Sequence, residues 1–238
     1  MICEATVRKK IRNQFGGRLK AFVSGGGALD KSIGEFLNAI GLPTLQGYGL
    51  TEASPVVSCN LPNKVKVETV GPAFSTNQVK IAEDGEILIK GENVMLGYWN
   101  KKEATDESIK DGWLHTGDIA LQDEDGFFFI TGRIKELIIK GGENIAPREI
   151  DEALYDHPAV LEAAGFGIDD TRYGQEVMAC VALKSGAICN EEELAALLES
   201  KLGVFKSPKR IYFMDELPKG PSGKIQRLKL PEMIQHLT

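Results

Sequence analysis

Gln46-Gly47-Tyr48-Gly49-Leu50-Thr51-Glu52 sets two glycines around an aromatic ring, followed at once by a hydroxyl and a carboxylate. Glycine lets a ligand approach the backbone closely. Tyr48 offers a flat face for a base, Thr51 a hydroxyl for a phosphate oxygen, and Glu52 an oxygen ligand for Mg2+. The same residues also read as a tight turn around a core tyrosine. Gly112-Trp113-Leu114-His115-Thr116-Gly117-Asp118 carries a glycine before an aspartate at a predicted strand start. Such a carboxylate can accept from both hydroxyls of a sugar diol, or it is a solvated turn residue. The run from Gly132 to Ile145 contains Arg133, Lys135, Gly141 and Gly142 and reads as a charged junction. Pro218-Lys219-Gly220-Pro221-Ser222-Gly223-Lys224 reads as an exposed loop ending in a lysine. No segment completes a GxxxxGK[ST] or GxGxxG phosphate motif.

Three kinds of element must position these residues. Leu19–Ser24 reads as a buried strand ending in Gly25-Gly26-Gly27. Leu29 to Ile40 has apolar residues at helical spacing, with Gly41 at the C′ position and Pro43 after it. Thr44–Gln46 is a second strand, so residues 15–50 predict a βαβ unit in a largely parallel sheet. From about Val65 two hairpins follow, 78–90 and 119–131, around Asp84-Gly85 and Asp125-Gly126, with a short polar helix over 100–109 between them. They predict a small β-barrel or distorted sheet. From Lys135 onward, strands at 137–140, 160–167, 176–183 and 210–214 alternate with helices at 147–155, 190–202 and 229–237. Asn190 and Glu193 stand at capping-box spacing.

The chain has 238 residues, 42% hydrophobic and 26% charged, with a net charge of −6. That is a soluble globular composition with no basic field for nucleic acid. The cysteines Cys3, Cys59, Cys180 and Cys189 form no CxxC pair, and His115, His157 and His236 show no zinc-ligand spacing. A reduced, cytoplasmic protein is expected. No run of about 18 apolar residues could span a membrane, and residues 1–14 lack the apolar core of a signal peptide.

In their order along the chain, these segments resemble the adenylate-forming superfamily of acyl–CoA synthetases, luciferases and peptide-synthetase adenylation domains. Ser24-Gly25-Gly26-Gly27-Ala28-Leu29-Asp30 fits the family's adenine-side glycine turn, and Gly85–Gly91 followed by Gly97-Tyr98-Trp99 fits a further motif. The forms GGGALD and GYGLTEASP are most similar to the fatty acyl–CoA synthetases. The resemblance covers nearly the whole chain.

The resemblance implies an α/β plus α+β fold: a βαβ end of a large AMP-binding domain (1–63), a β-barrel-like subdomain (64–134) and a hinged, mobile α+β domain (135–238). It implies ATP, Mg2+ and CoA as ligands and a carboxylic acid, a fatty acid by type, as substrate. An acyl carrier protein as acceptor, an aryl acid, or a non-catalytic nucleotide-binding module are alternatives. The complete enzyme could also be a homodimer or associate peripherally with membranes. Tyr48 would stack on adenine beside Gly25, Gly26, Gly27, Gln46, Gly47 and Gly49. Thr51 would bond the α-phosphate and Glu52 hold Mg2+. Asp118 would bind both ribose hydroxyls, with Arg133 reinforcing it. Lys135 would be the hinge, Lys224 the adenylation lysine, and Gly141 and Gly142 the pantetheine path. The family's Ser/Thr/Gly-rich phosphate loop would precede the adenine turn, where this sequence has only 23 residues before Ser24. The chain alone is therefore expected to be inactive, with residues 1–60 less well held than the C-terminal module and an apolar edge or face uncovered.

Overall fold

The computed structural model describes residues 7–27, 29–221 and 223–235. The chain divides into two compact units, residues 1–130 and 131–238. Among the described residues no helix is long and apolar enough to cross a membrane.

The first unit opens with α1 (Lys9–Gln14), β1 (Phe22–Ser24), α2 (Lys31–Ala39) and β2 (Thr44–Gly49). Asp30 caps α2, its carboxylate accepting from the Ile33 N–H at 3.0 Å. Gly41, at φ +79°, ends the turn after it. β1 and β2 pair in parallel, which makes the predicted βαβ unit real. β3 (Val56–Cys59) adds antiparallel to β2. The expectation of a buried first strand is corrected: Val23 is 78% exposed, and Ile33 and Phe36 of α2 are exposed too. These apolar side chains stand open among the described residues.

β4 (Asn77–Ile81) and β5 (Glu86–Gly91) form the first hairpin. α3 (Lys102–Ser108) and β6 (Ile109–Lys110) lead into the long β7 (Trp113–Gln122), which β8 (Phe128–Arg133) follows. The sheet runs β4-β5-β7-β6, with β8 also on β7, and curls into a half-barrel. Its core is Ala53, Val57, Ile87, Ile89, Leu114 and Ala120.

The second unit contains β9 (Ile138–Lys140), β10 (Glu143–Ile145), α4 (Pro147–Tyr155), β11 (Val160–Asp170), β12 (Gly174–Leu183), α5 (Glu191–Lys206), β13 (Arg210–Phe213) and α6 (Leu230–Ile234). The last three residues of the predicted terminal helix, 236–238, lie outside the described residues. The sheet order is β10-β9-β12-β11, with β13 parallel to β12. β12 is apolar on both faces because both are covered. Val177, Ala179 and Val181 pack with Ile150, Leu154, Leu194 and Leu198 of α4 and α5. Met178, Cys180 and Ala182 pack with Leu217 and with Leu230 and Ile234 of α6. Pro147 stands in the first turn of α4 and Asn190 caps α5, accepting from the Glu193 N–H at 2.8 Å. The return half of a capping box is not what Glu193 makes: its carboxylate faces His157 at 3.2 Å.

Candidate functional site

In the first unit, Ser24 stands opposite Gln46 in the parallel β1–β2 pair. The Gly25–Gly27 turn therefore leaves β1 beside the Gly47-Tyr48-Gly49 end of β2, which stays paired with β3, at the strands' carboxyl ends, where open α/β sheets bind ligands. Gln46 is buried and turned inward. Its amide oxygen accepts from the Leu29 N–H at 2.7 Å and its amide nitrogen donates to the Thr69 carbonyl at 3.2 Å. It thus pins the chain just after the glycine turn rather than facing the ligand side. Ala28 lies outside the described residues.

After Gly49 the chain makes a 3-10 turn, Thr51–Ala53, with Thr51 exposed and Glu52 half-buried. The segment 91–99 straps this turn. Asn93 donates to the Ala53 carbonyl at 3.0 Å, the Met95 N–H to the Glu52 carbonyl at 2.8 Å, and the Tyr98 hydroxyl to Glu52 Oε1 at 2.8 Å. The Glu52 bond is the main reason the Tyr98 hydroxyl holds its proton above the usual tyrosine range. Glu52 keeps Oε2 outside that bond, which fits a carboxylate able to meet a hard cation.

Asp118 is not at a strand start, as the sequence suggested, but inside β7. Its Oδ2 accepts from the Tyr48 hydroxyl at 2.7 Å. Opposite β5, Glu86 pairs with Ile119 and Leu88 with His115, so β7 carries two more residues than β5 over this stretch. The excess forms a bulge at 116–118, with Gly117 at φ +72° and open space where a Cβ would stand. Glu86 fills the inside of the bulge. Its Oε2 lies 2.7 Å from His115 Nδ1, and its Oε1 accepts from the Gly117 N–H at 2.8 Å.

In the second unit, Gly141 and Gly142, at φ +58° and +86°, form the two-residue turn of the β9–β10 hairpin. Lys140, just before it, is buried. Its ammonium lies 2.5 Å from Glu176 Oε1, donates to the Phe205 carbonyl at 2.8 Å, and sits 5.0 Å and 5.7 Å from the Phe205 and Tyr173 rings. The hairpin is thereby fixed to the body of the unit. Arg133 ends β8, and Lys135 lies exposed in the 3-10 turn Ile134–Glu136.

The Lys224 loop is a closed turn. The Gly220 N–H donates to the Lys224 carbonyl at 2.8 Å and the Gln226 N–H to the Pro218 carbonyl at 2.7 Å, which leaves Lys224 exposed at its rim. Ser222 lies outside the described residues. Three positions on, the Arg227 side chain is 13% exposed. It meets Asp151 Oδ2 at 2.6 Å, Glu136 Oε2 at 3.2 Å and the Gly165 carbonyl. One guanidinium therefore moors both the Lys224 loop and the turn that carries Lys135.

Distance in sequence hid a further cluster. His157 Nε2, Cys189 Sγ and a Glu193 oxygen lie within 4.8 Å of one another. His157 Nδ1 accepts from the Ala159 N–H at 3.3 Å, so the neutral ring carries its proton on Nε2, toward Glu193. A metal-bound imidazole instead donates from its other nitrogen, so the three groups read as a hydrogen-bonded set. His236 and Cys3 lie outside the described residues.

Sequence reasoning missed Glu86, His115, Tyr98, Lys140 and Arg227 as organisers of these sites. The available signals were a lysine closing the apolar strand Ile138–Lys140 and a glutamate opening Glu86–Ile89.

Two families match, described as "AMP-binding enzyme" over residues 1–99 and "AMP-binding enzyme C-terminal domain" over residues 149–224. The chain is 47% identical over 202 residues to the sulfoacetate–CoA ligase of Cupriavidus necator, a match covering 80% of this chain and 40% of that protein. It is 44% identical over 227 residues to the long-chain-fatty-acid–CoA ligase of Bacillus subtilis, covering 90% and 40%. It is 40% identical over 231 residues to a 2-succinylbenzoate–CoA ligase of Bacillus cereus, covering 92% and 47%. The chain thus spans less than half the length of these curated relatives. Among solved structures, ATP-bound MatB from Rhodopseudomonas palustris superposes with a TM-score of 0.87 at 32% identity, covering 94% of this chain and 47% of that one. The o-succinylbenzoate CoA synthetase MenE of Bacillus subtilis, in complex with its acyl-adenylate intermediate, gives a TM-score of 0.82 at 30% identity, covering 93% and 49%.

Proposed function

From its membership of the AMP-binding enzyme superfamily, we propose that this chain is part of an AMP-forming carboxylic acid–CoA ligase and carries its adenosine-binding residues and its adenylation lysine. The observation that carries the reading is the Tyr48–Asp118 hydrogen bond. It sets an aromatic face and a carboxylate side by side at the carboxyl end of β2, the pairing a base and a ribose diol require.

In this reading the adenine stacks on Tyr48 between the two glycine segments, and Gln46 serves by holding the Gly25–Gly27 turn in place. Asp118 accepts from the ribose hydroxyls, with Arg133 in support. Thr51 bonds the α-phosphate. Glu52 would hold Mg2+, which when bound neutralises phosphate charge. Lys135 is the hinge residue, and the Gly141–Gly142 turn lines the approach of the CoA thiol.

The substrate carboxylate attacks the α-phosphate to give an acyl-adenylate and pyrophosphate; the thiol then displaces AMP. The first step brings two anions together, and the Lys224 ammonium bridges them. One unit charge at 4 Å contributes about 4 kcal/mol at an effective dielectric of 20. Confined to the transition state, that is about a thousandfold in rate.

A fatty acid is the finer reading of the substrate. It is supported by the GGGALD and GYGLTEASP segments and by the long-chain-fatty-acid ligase among the relatives. Sulfoacetate and 2-succinylbenzoate ligases stand beside it at similar identity.

The test uses the complete protein, with pyrophosphate release measured for palmitate, sulfoacetate and 2-succinylbenzoate. Lys224→Ala should lower adenylation by about a thousandfold yet spare much of the thioester step from supplied acyl-adenylate and CoA. Acid-independent pyrophosphate release, or equal loss of both half-reactions, would overturn the reading.

A further inference from the structure

We propose that Glu86 is a positioning residue for the ribose carboxylate Asp118, acting through the Gly117 peptide and His115; this rests on the reading of Asp118 given above. A carboxylate is a costly group to bury at the start of an apolar strand. The Glu86 side chain is 9% exposed and begins the buried run Glu86–Ile89. Strand pairing alone does not call for a charge there. Both of its oxygens are engaged: the Gly117 N–H lies within the β7 bulge that presents Asp118, and His115 Nδ1 belongs to the paired residue just before it.

The bulge needs such a brace. Two surplus residues in β7 leave the ladder unpaired over that stretch, and an unpaired stretch can shift register. Gly117, in the left-handed region, can adopt several conformations at small cost. Glu86 selects one of them by fixing the N–H of Gly117 on one side and the ring of His115 on the other. Thr116 Oγ1 completes the brace, donating to the Ile87 carbonyl at 2.8 Å and accepting from the Asp118 N–H at 3.1 Å. The peptide entering Asp118 is thus held from β5, 29 to 31 positions away in sequence. The Tyr48 hydroxyl holds its side chain from β2.

The consequence is specific to the sugar. Loosening the bulge moves the ribose acceptor and leaves the adenine face of Tyr48 on its own strand. The experiment is calorimetric titration of the chain with AMP and with 2′,3′-dideoxyAMP, comparing wild type, Glu86→Ala and Glu86→Gln. Wild type should prefer AMP. Glu86→Ala should weaken AMP about tenfold and leave the dideoxynucleotide within about twofold, so that the preference collapses. Glu86→Gln, which keeps the side-chain volume should the alanine variant fail to fold, should lower the preference about threefold. A preference unchanged in the folded variants overturns the positioning role, even if both nucleotides bind more weakly, because equal loss is what general destabilisation produces. A wild-type chain that binds the two nucleotides alike overturns the assignment of Asp118 to ribose, and the inference with it.

Discussion

The Tyr48 hydroxyl donates to Asp118 Oδ2 at 2.7 Å, joining residues 70 positions apart. The bond fixes the plane of an aromatic ring relative to a carboxylate before any ligand arrives. Preorganisation of this kind removes an ordering cost from binding. Tyr48→Phe keeps the ring and deletes the bond, so AMP affinity should fall about three- to tenfold. Tyr48→Ala also removes the stacking face, which should cost about a further tenfold. Titration with AMP reads both. A phenylalanine variant as tight as wild type would show that the bond has no part in nucleotide binding.

Arg227 should dominate the stability of the second unit. Burial opposes its charge, but Asp151 and Glu136 beside it outweigh that cost and raise its already high pKa. Arg227→Ala strands two carboxylates and the Gly165 carbonyl, and should destabilise the unit by about 3–5 kcal/mol. Arg227→Lys should rescue little, since one ammonium cannot reproduce the forked contacts. Urea unfolding followed by hydrogen exchange in α4 and β11 measures this. A loss below about 1 kcal/mol, the range of a surface pair, would mean the cluster is not a structural anchor.

Asp170 gives a pH signature at the β11–β12 turn. Its carboxylate accepts from the Tyr173 N–H at 2.9 Å and the Arg172 N–H at 2.8 Å, and these bonds lower its pKa from 3.8. The folded value lies below the unfolded one. The turn therefore has its full support above the unfolded pKa and loses it as the pH falls through the folded pKa. A carboxyl-carbon NMR titration should find Asp170 protonating at lower pH than a peptide aspartate. Asp170→Asn should remove its share of the acid sensitivity. A titration at or above the ordinary value would contradict the arrangement.

The sequence by itself determined the local elements and the kind of site. Asp30 and Asn190 cap their helices, Gly41 and Pro43 end a turn, and the Gly141–Gly142 pair reverses a hairpin, because each depends on residues within a few positions. The run 176–183 announced a strand, and the structure showed that both its faces are covered. The segments around Tyr48, Asp118, Lys135 and Lys224 pointed to nucleotide chemistry through their residue types and order. Only the tertiary structure decided how these residues are held. Asp118 sits inside β7, at a bulge where the strand gains two residues against β5, and no local pattern announces such an excess. Gln46 turned inward, Glu86 reached the bulge, and Arg227 gathered Glu136 and Asp151 from 91 and 76 positions away. His157, Cys189 and Glu193 met without any motif spacing. Those contacts follow from sheet register and helix packing, which bring distant side chains within hydrogen-bond reach only after the whole unit has folded.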